Sequence, residues 1–245
     1  MNRYVVANLK MNQTAHEVNS YLKKINDEVD SEHVIICPTS IYIPYFLKQN
    51  YKVGLQNIFF HSEGAYTGEI SPLQAMSLGV RYTLVGHSER RTYFEESDLD
   101  VNKKIKEALN YHMKIILCIG ETNEERNMLK TDRILKKQLT YALRNINPMD
   151  YSKIMIAYEP VWALGTGNVP TEKEITTTIT YIKELLQTTY HWEEPLVLYG
   201  GSVNEKNITH LNKIAILDGF LVGGASQDPK KLLKIIDTVL KENQE

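Results

Sequence analysis

Eight short apolar runs, separated by segments of helical periodicity, constrain this chain more than any other feature. The runs cover 4–8, 34–37, 53–56, 82–85, 115–119, 154–158, 196–199 and 220–222, and are rich in β-branched and aromatic residues. Runs of that length and composition predict buried strands. Between them, Val18/Leu22/Ile25, Val101/Ile105/Leu109 and Ile175/Ile179/Ile182/Leu186 recur at helical spacing. Thr171-Glu172-Lys173-Glu174 matches a capping box, and Ser97 and Asp228 stand where caps of two other helices are expected. Eight strands each followed by a helix can close on themselves. The expected fold class is therefore α/β, a parallel eight-stranded (β/α)8 barrel ringed by helices, with residues 1–245 as one domain. A doubly wound open sheet is the alternative. It is disfavoured because no Gly-x-Gly-x-x-Gly follows the first strand.

Composition excludes several classes of partner. The chain has 28 basic and 30 acidic residues in 245. Its overall field therefore favours neither nucleic acid nor a membrane surface, and an anion site has to be built locally. Cys37 and Cys118 both fall in apolar runs, which suits buried free thiols in a reducing compartment. The sequence enters its first strand at Tyr4-Val5-Val6-Ala7 without a charged-then-apolar leader, and no stretch approaches the ~20 apolar residues of a membrane span. The sequons at Asn12 and Asn207 read as chance matches. A cytoplasmic location is expected.

In a barrel of this kind the chemistry sits just beyond the C-terminal ends of the strands. The first strand delivers Asn8 and Lys10. The fourth delivers His87, followed by Ser88 and Glu89. The sixth delivers Glu159, where Pro160 takes the chain out of sheet pairing. The seventh and eighth end in Gly200-Gly201-Ser202 and Gly223-Gly224-Ala225-Ser226. Alone, each of these has an ordinary reading: a solvated glutamate or lysine, a histidine satisfied at a strand end, a glycine turn. Together they supply a candidate base, a candidate neutral acid or electrophile, a cation and two cradles in which backbone N–H groups can approach a phosphate. Glu89 is placed to pair with Lys10 and orient it. The loop after Glu159 has the small-residue tip Gly165-Thr166-Gly167, suited to a lid. Gly86-His87-Ser88-Glu89-Arg90 lacks the last glycine of a nucleophile elbow, and Gly165-Thr166-Gly167 runs into Asn168-Val169-Pro170, so it is no dinucleotide fingerprint. Neither metal-ligand spacing nor a Walker A pattern occurs, so neither metal nor nucleotide cofactor is expected.

Over essentially its whole length the chain resembles the triosephosphate isomerase family. The resemblance is carried by Asn8-Leu9-Lys10-Met11-Asn12, Gly64 to Glu69, Gly86 to Arg91, Cys118-Ile119-Gly120-Glu121, Tyr158 to Gly167, Tyr199 to Ser202 and Gly219 to Ser226. It implies interconversion of dihydroxyacetone phosphate and glyceraldehyde 3-phosphate through an enediolate. By the same resemblance Glu159 is the general base, neutral His87 the electrophile, and Lys10 with Asn8 the electrostatic stabiliser. Gly165, Ser202, Gly223 and Gly224 bind the phosphate, with Glu89 and Cys118 in support. Closure of a lid from Pro160 to about Val169 is implied too, as is a homodimer in which Tyr66-Thr67-Gly68 reaches the partner near Asn8 and Lys10.

Leu9, Asn168, Pro170 and Gln227-Asp228 depart from the family pattern, and none is a residue named for chemistry. Pro170 is expected in the first turn of the next helix, narrowing the lid's trailing hinge. Another phosphosugar-handling barrel enzyme would share the glycine cradles. A catalytically silent relative would have no need of Lys10, His87 and Glu159 together.

Overall fold

The computed structural model describes residues 3–164 and 169–241. Its eight strands are β1 (Tyr4–Asn8), β2 (Val34–Cys37), β3 (Lys52–Leu55), β4 (Tyr82–Val85), β5 (Lys114–Ile119), β6 (Ile154–Tyr158), β7 (Val197–Tyr199) and β8 (Gly219–Val222). They form a closed parallel barrel in sequence order. Closure occurs at β1, where Val5 pairs with Val34 of β2 on one side and Phe220 of β8 on the other. Helices between consecutive strands include Ala15–Ile25, Asp98–Asn110, Thr131–Ala142 and Glu172–Tyr190, and Pro229–Lys241 follows β8.

The alternation of side chains along each strand divides the core in two. Val6, Ile35, Cys37, Leu84, Ile116, Cys118, Ala157, Leu198 and Leu221 point inward and fill the barrel. Their neighbours Val5, Ala7, Val34, Ile36, Ile115 and Leu117 pack outward with helix residues such as Val18, Ile105, Leu139 and Ile179. Both cysteines are buried free thiols. No helix among the described residues is long and apolar enough to cross a membrane.

Four strands differ in their boundaries from those expected from apolar runs, because pairing rather than hydrophobicity sets them. Lys52 pairs with Ile35, and Lys114 with Tyr82, so β3 and β5 each begin at a charged residue. Gln56 leaves the ladder, and its amide instead donates to the carbonyls of Lys10 and Cys37 at 2.8 and 3.0 Å. β7 begins one residue late, at Val197, whose N–H is taken by the Asp218 side chain at 2.7 Å. β8 begins at Gly219, where a Cβ would lie 2.2 Å from the Tyr4 carbonyl oxygen. That close approach seals the barrel.

The caps are where the pattern placed them. Ser97 with Asp100, and Thr171 with Glu174, form complete capping boxes, and Asp228 accepts the Lys230 N–H at 2.8 Å. Pro170, however, lies before the helix Glu172–Tyr190 and not in its first turn. Thr171 is the cap, and its N–H and hydroxyl both donate to the Glu174 carboxylate, at 2.7 and 2.8 Å.

Candidate active site

At the C-terminal mouth of the barrel, a cavity of about 270 Å³ is lined by Asn8, Lys10, His87, Glu159, Ser202, Gly223 and Gly224, among others. They come from the ends of β1, β4, β6, β7 and β8 or from the residues just after them. The backbone at Lys10 takes a left-handed conformation (φ 52°). Such a conformation is unfavourable for a lysine. It is held by three bonds: the Lys10 N–H donates to Asn8 Oδ1 at 3.0 Å, and the Lys10 carbonyl accepts from Thr39 Oγ1 at 2.9 Å and Gln56 Nε2 at 2.8 Å. The side chain then reaches Glu89, Nζ to Oε1, at 2.5 Å.

β4 is followed by Gly86, whose φ of 74° turns the chain sharply. A Cβ there would press on Arg91, Val101 and the Cys118 carbonyl. The turn leaves His87 capping the helix Ser88–Tyr93, with Nδ1 accepting the Glu89 N–H at 3.3 Å. Because Nδ1 is an acceptor, the network assigns the proton of the neutral ring to Nε2. Nε2 faces Glu159 Oε1 at 3.0 Å, and Glu159 Oε2 accepts the Ser88 N–H at 3.1 Å. Both side chains are buried. Burial on its own disfavours the charged form of each. Their mutual attraction outweighs it, raising the imidazole pKa and lowering that of the carboxyl. The Cys118 thiol lies against the same carboxylate, and burial raises its pKa well above that of an ordinary cysteine.

The glycines are needed for space. A Cβ on Gly200 would touch Glu159 Cγ at 3.0 Å, and one on Gly201 would lie 2.1 Å from the Tyr199 hydroxyl. A Cβ on Gly223 would lie 3.3 Å from Lys10 Cε, while one on Gly224 would meet nothing within 4 Å. Ser226 ties this edge to β1, its hydroxyl lying 3.0 Å from the Asn8 carbonyl and 2.6 Å from that of Gly223. Ser202 Oγ donates to the Ala163 carbonyl at 2.5 Å, linking the seventh loop to the segment after Glu159. That segment is anchored by Trp162, whose Nε1 donates to Glu121 Oε1 at 2.8 Å.

This cavity brings together a histidine, a glutamate, a lysine and two glycine edges from the ends of β1, β4, β6, β7 and β8. The model of the triosephosphate isomerase family matches residues 3–239.

The chain belongs to the triosephosphate isomerase family.

Individual family members match it over nearly its whole length. It is 39% identical to the triosephosphate isomerase of Dictyoglomus thermophilum, over 96% of this chain and 98% of that protein. It is 40% identical to that of Alkaliphilus oremlandii, over 95% and 98%. Against that of Thermodesulfovibrio yellowstonii it is 42% identical, over 96% and 98%.

Of the residues expected at a triosephosphate isomerase site, Asn8, Lys10, His87, Glu159, Ser202, Gly223 and Gly224 share the one cavity. Glu89 joins it through Lys10, and Cys118 lies beneath Glu159. Gly165, with Thr166, Gly167 and Asn168, lies outside the described residues. Sequence reasoning missed Thr39 and Gln56, which hold the Lys10 backbone. Gln56 had been assigned to the end of a strand, and its position directly after β3 was the available signal. Glu121 was seen only as part of a motif. A carboxylate buried to 1% exposure beside Tyr158 and Trp162 could not be inferred from its neighbours in sequence.

Proposed function

We propose that this chain interconverts dihydroxyacetone phosphate and glyceraldehyde 3-phosphate, with Glu159 as the base and His87 as the electrophile. The observation that carries the reading is the buried pair itself: Glu159 Oε1 stands 3.0 Å from His87 Nε2 in a cavity that also holds Lys10 and the glycine edges.

In the forward step the Glu159 carboxylate takes a proton from the carbon next to the carbonyl. The C–H electron pair forms the C=C bond of the enediolate, and the carbonyl electrons move onto oxygen. Nε2–H of His87 donates to that oxygen, and Lys10 supplies positive charge nearby. His87 Nε2 gives its proton to that oxygen and takes one from the hydroxyl on the carbon that Glu159 deprotonated. The carboxylic acid of Glu159 then returns its proton to the former carbonyl carbon, the C=C pair forming the new C–H bond as the deprotonated oxygen closes the new C=O. Its two oxygens are engaged by His87 and Ser88 in the free protein. They must leave those partners to reach substrate. Once the carboxylate moves off, burial and the Glu89 N–H at Nδ1 both favour the neutral ring.

Gly223, Gly224 and Ser202 are proposed to hold the phosphate, with Gly165 as a further donor. Lys10 Nζ lies 3.7 Å from the position a Cβ on Gly223 would take, and nothing lies within 4 Å of that position on Gly224, which supports an anion site at this edge. A homodimer through Tyr66, Thr67 and Gly68 accompanies this reading. Its support is an exposed aromatic platform in which His61 and Tyr66 stack at 4.9 Å with an interplanar angle of 4°. The protein is proposed to work in the cytoplasm, where its two buried thiols stay reduced. A coupled assay starting from dihydroxyacetone phosphate tests the function. Turnover by the wild type and its loss in Glu159→Gln is the expected result, and a wild type with no turnover refutes the reading.

A further inference from the structure

The geometry points to Gln138 as a positioning residue for Glu159, acting from outside the barrel through the backbone of Gly120. This rests on the reading of Glu159 as the base.

Gln138 lies on the helix Thr131–Ala142, buried on the stripe that carries Leu135 and Leu139. A primary amide on a core-facing stripe needs partners for both its donor and its acceptor. It finds both on one residue. The Gly120 N–H donates to Gln138 Oε1 at 2.8 Å, and Gln138 Nε2 donates to the Gly120 carbonyl at 2.9 Å.

Gly120 is the first residue beyond β5, and the barrel offers its peptide groups no strand partner. The flanking carbonyls serve β6: Ile119 accepts the Glu159 N–H at 2.8 Å, and Glu121 accepts the Val161 N–H at 3.1 Å. Hydrogen-bonding direction alternates along a strand, so the groups of Gly120 face the β4 side. There the chain has already turned away at Gly86. Gln138 thus replaces the missing rung.

The peptide it holds is the one against which the base rests. A Cβ on Gly120 would lie 1.8 Å from the Glu159 carbonyl oxygen and 2.7 Å from its carbonyl carbon. No other glycine in the described chain has so close a backbone neighbour. The end of β5 therefore holds the backbone from Glu159 to Val161 by hydrogen bonds on either side of Gly120, with the Glu159 carbonyl packed closely over Gly120 between them. Release of the amide pair frees this peptide to shift, and Glu159 shifts with it. A misplacement of about 1 Å in a catalytic group can cost on the order of 10²-fold in rate. The proposed phosphate contacts at Ser202, Gly223 and Gly224 lie on other strands and would stay in place.

The test compares Gln138→Met and Gln138→Glu with a wild type whose turnover, and whose loss of turnover in Glu159→Gln, are first established. That control separates failure of the functional reading from failure of this one. Gln138→Met keeps the volume and removes both bonds. Its kcat is expected to fall at least about tenfold, with KM within about twofold of the wild type. Gln138→Glu keeps the acceptor for the Gly120 N–H, but supplies a donor to the Gly120 carbonyl only when protonated. Its kcat, taken as a ratio to wild type at each pH, is expected to recover as the pH falls. A purely structural role would lower the Tm of both variants, leave kcat per folded molecule unchanged and keep that ratio flat with pH, and this outcome overturns the proposal. If Gln138→Met does not fold, the pH dependence of Gln138→Glu decides alone.

Discussion

Lys10 Nζ lies 2.5 Å from Glu89 Oε1, and the same glutamate's second oxygen lies 3.7 Å from His87 Nδ1. One residue therefore braces both groups without lining the cavity: its carboxylate holds the cation, and its backbone N–H, 3.3 Å from Nδ1, holds the imidazole. Lys10→Met removes the cation and should lower kcat/KM by roughly 10²-fold or more, the scale of losing one preorganised electrostatic contact. Glu89→Gln keeps a hydrogen-bond acceptor for the ammonium but loses the charge attraction, and should cost less. Steady-state kinetics on both variants check this. An unchanged kcat/KM in Lys10→Met would show the lysine to be a bystander.

The cap at the start of the helix Glu172–Tyr190 gives a prediction for stability and pH. The Thr171 backbone N–H and hydroxyl hold the Glu174 carboxyl below the usual carboxylate range. A carboxyl whose pKa is lower in the folded state contributes stability that is fully present above its unfolded pKa. That contribution is lost as pH falls through the folded value. Thr171→Ala should therefore cost about 1 kcal/mol at neutral pH. The deficit should shrink as the pH falls through the lowered folded value, where Glu174 of the wild type also becomes protonated. Thermal unfolding across pH measures it. A deficit that grows in acid would contradict the assignment.

Much of this molecule was legible in the sequence, for physical reasons. Strands buried on both faces leave continuous apolar runs, and that signal located β1, β2, β4 and β6 at their observed ends. The site was legible because a barrel gathers residues from every strand end to one mouth, so Asn8, His87 and Glu159 could be placed without knowing any contact. Side chains that act by holding backbone were not legible. Gln56 and Gln138 both satisfy peptide groups from residues distant in the chain, and nothing in their own neighbourhoods announces a partner. Pro170 was misplaced by one feature: proline and threonine both favour helix starts, and the capping box at Thr171 and Glu174 decided the boundary.

Gly219 joins the two ends of the barrel, with φ at 154° and no room for a Cβ against the Tyr4 backbone. Gly219→Ala must push β1 and β8 apart where the sheet closes. The variant should lose about 3 kcal/mol or more, the upper range for overpacking. Denaturant unfolding at fixed temperature reads this directly. A wild-type midpoint would mean that the closure is looser than it stands here.

The exposed platform of Tyr66, stacked on His61 and packed near Phe59 at 4.7 Å between ring centroids, gives a test of the proposed dimer. In a two-fold interface one altered residue is counted twice. Tyr66→Asp should shift the protein toward monomer and lower its activity per chain at low concentration. Light scattering combined with assay checks this. A fully active wild-type monomer at assay concentration would remove the dimer from the account.

The central claim is that Glu159 is the base of an aldose–ketose isomerisation. Its most direct test is kcat for dihydroxyacetone phosphate in Glu159→Gln against wild type, in the coupled assay. The account predicts a fall of at least ~10²-fold, the lower bound for loss of a positioned general base, with competitive binding of inorganic phosphate largely kept. A variant that turns over at a rate near wild type would contradict it.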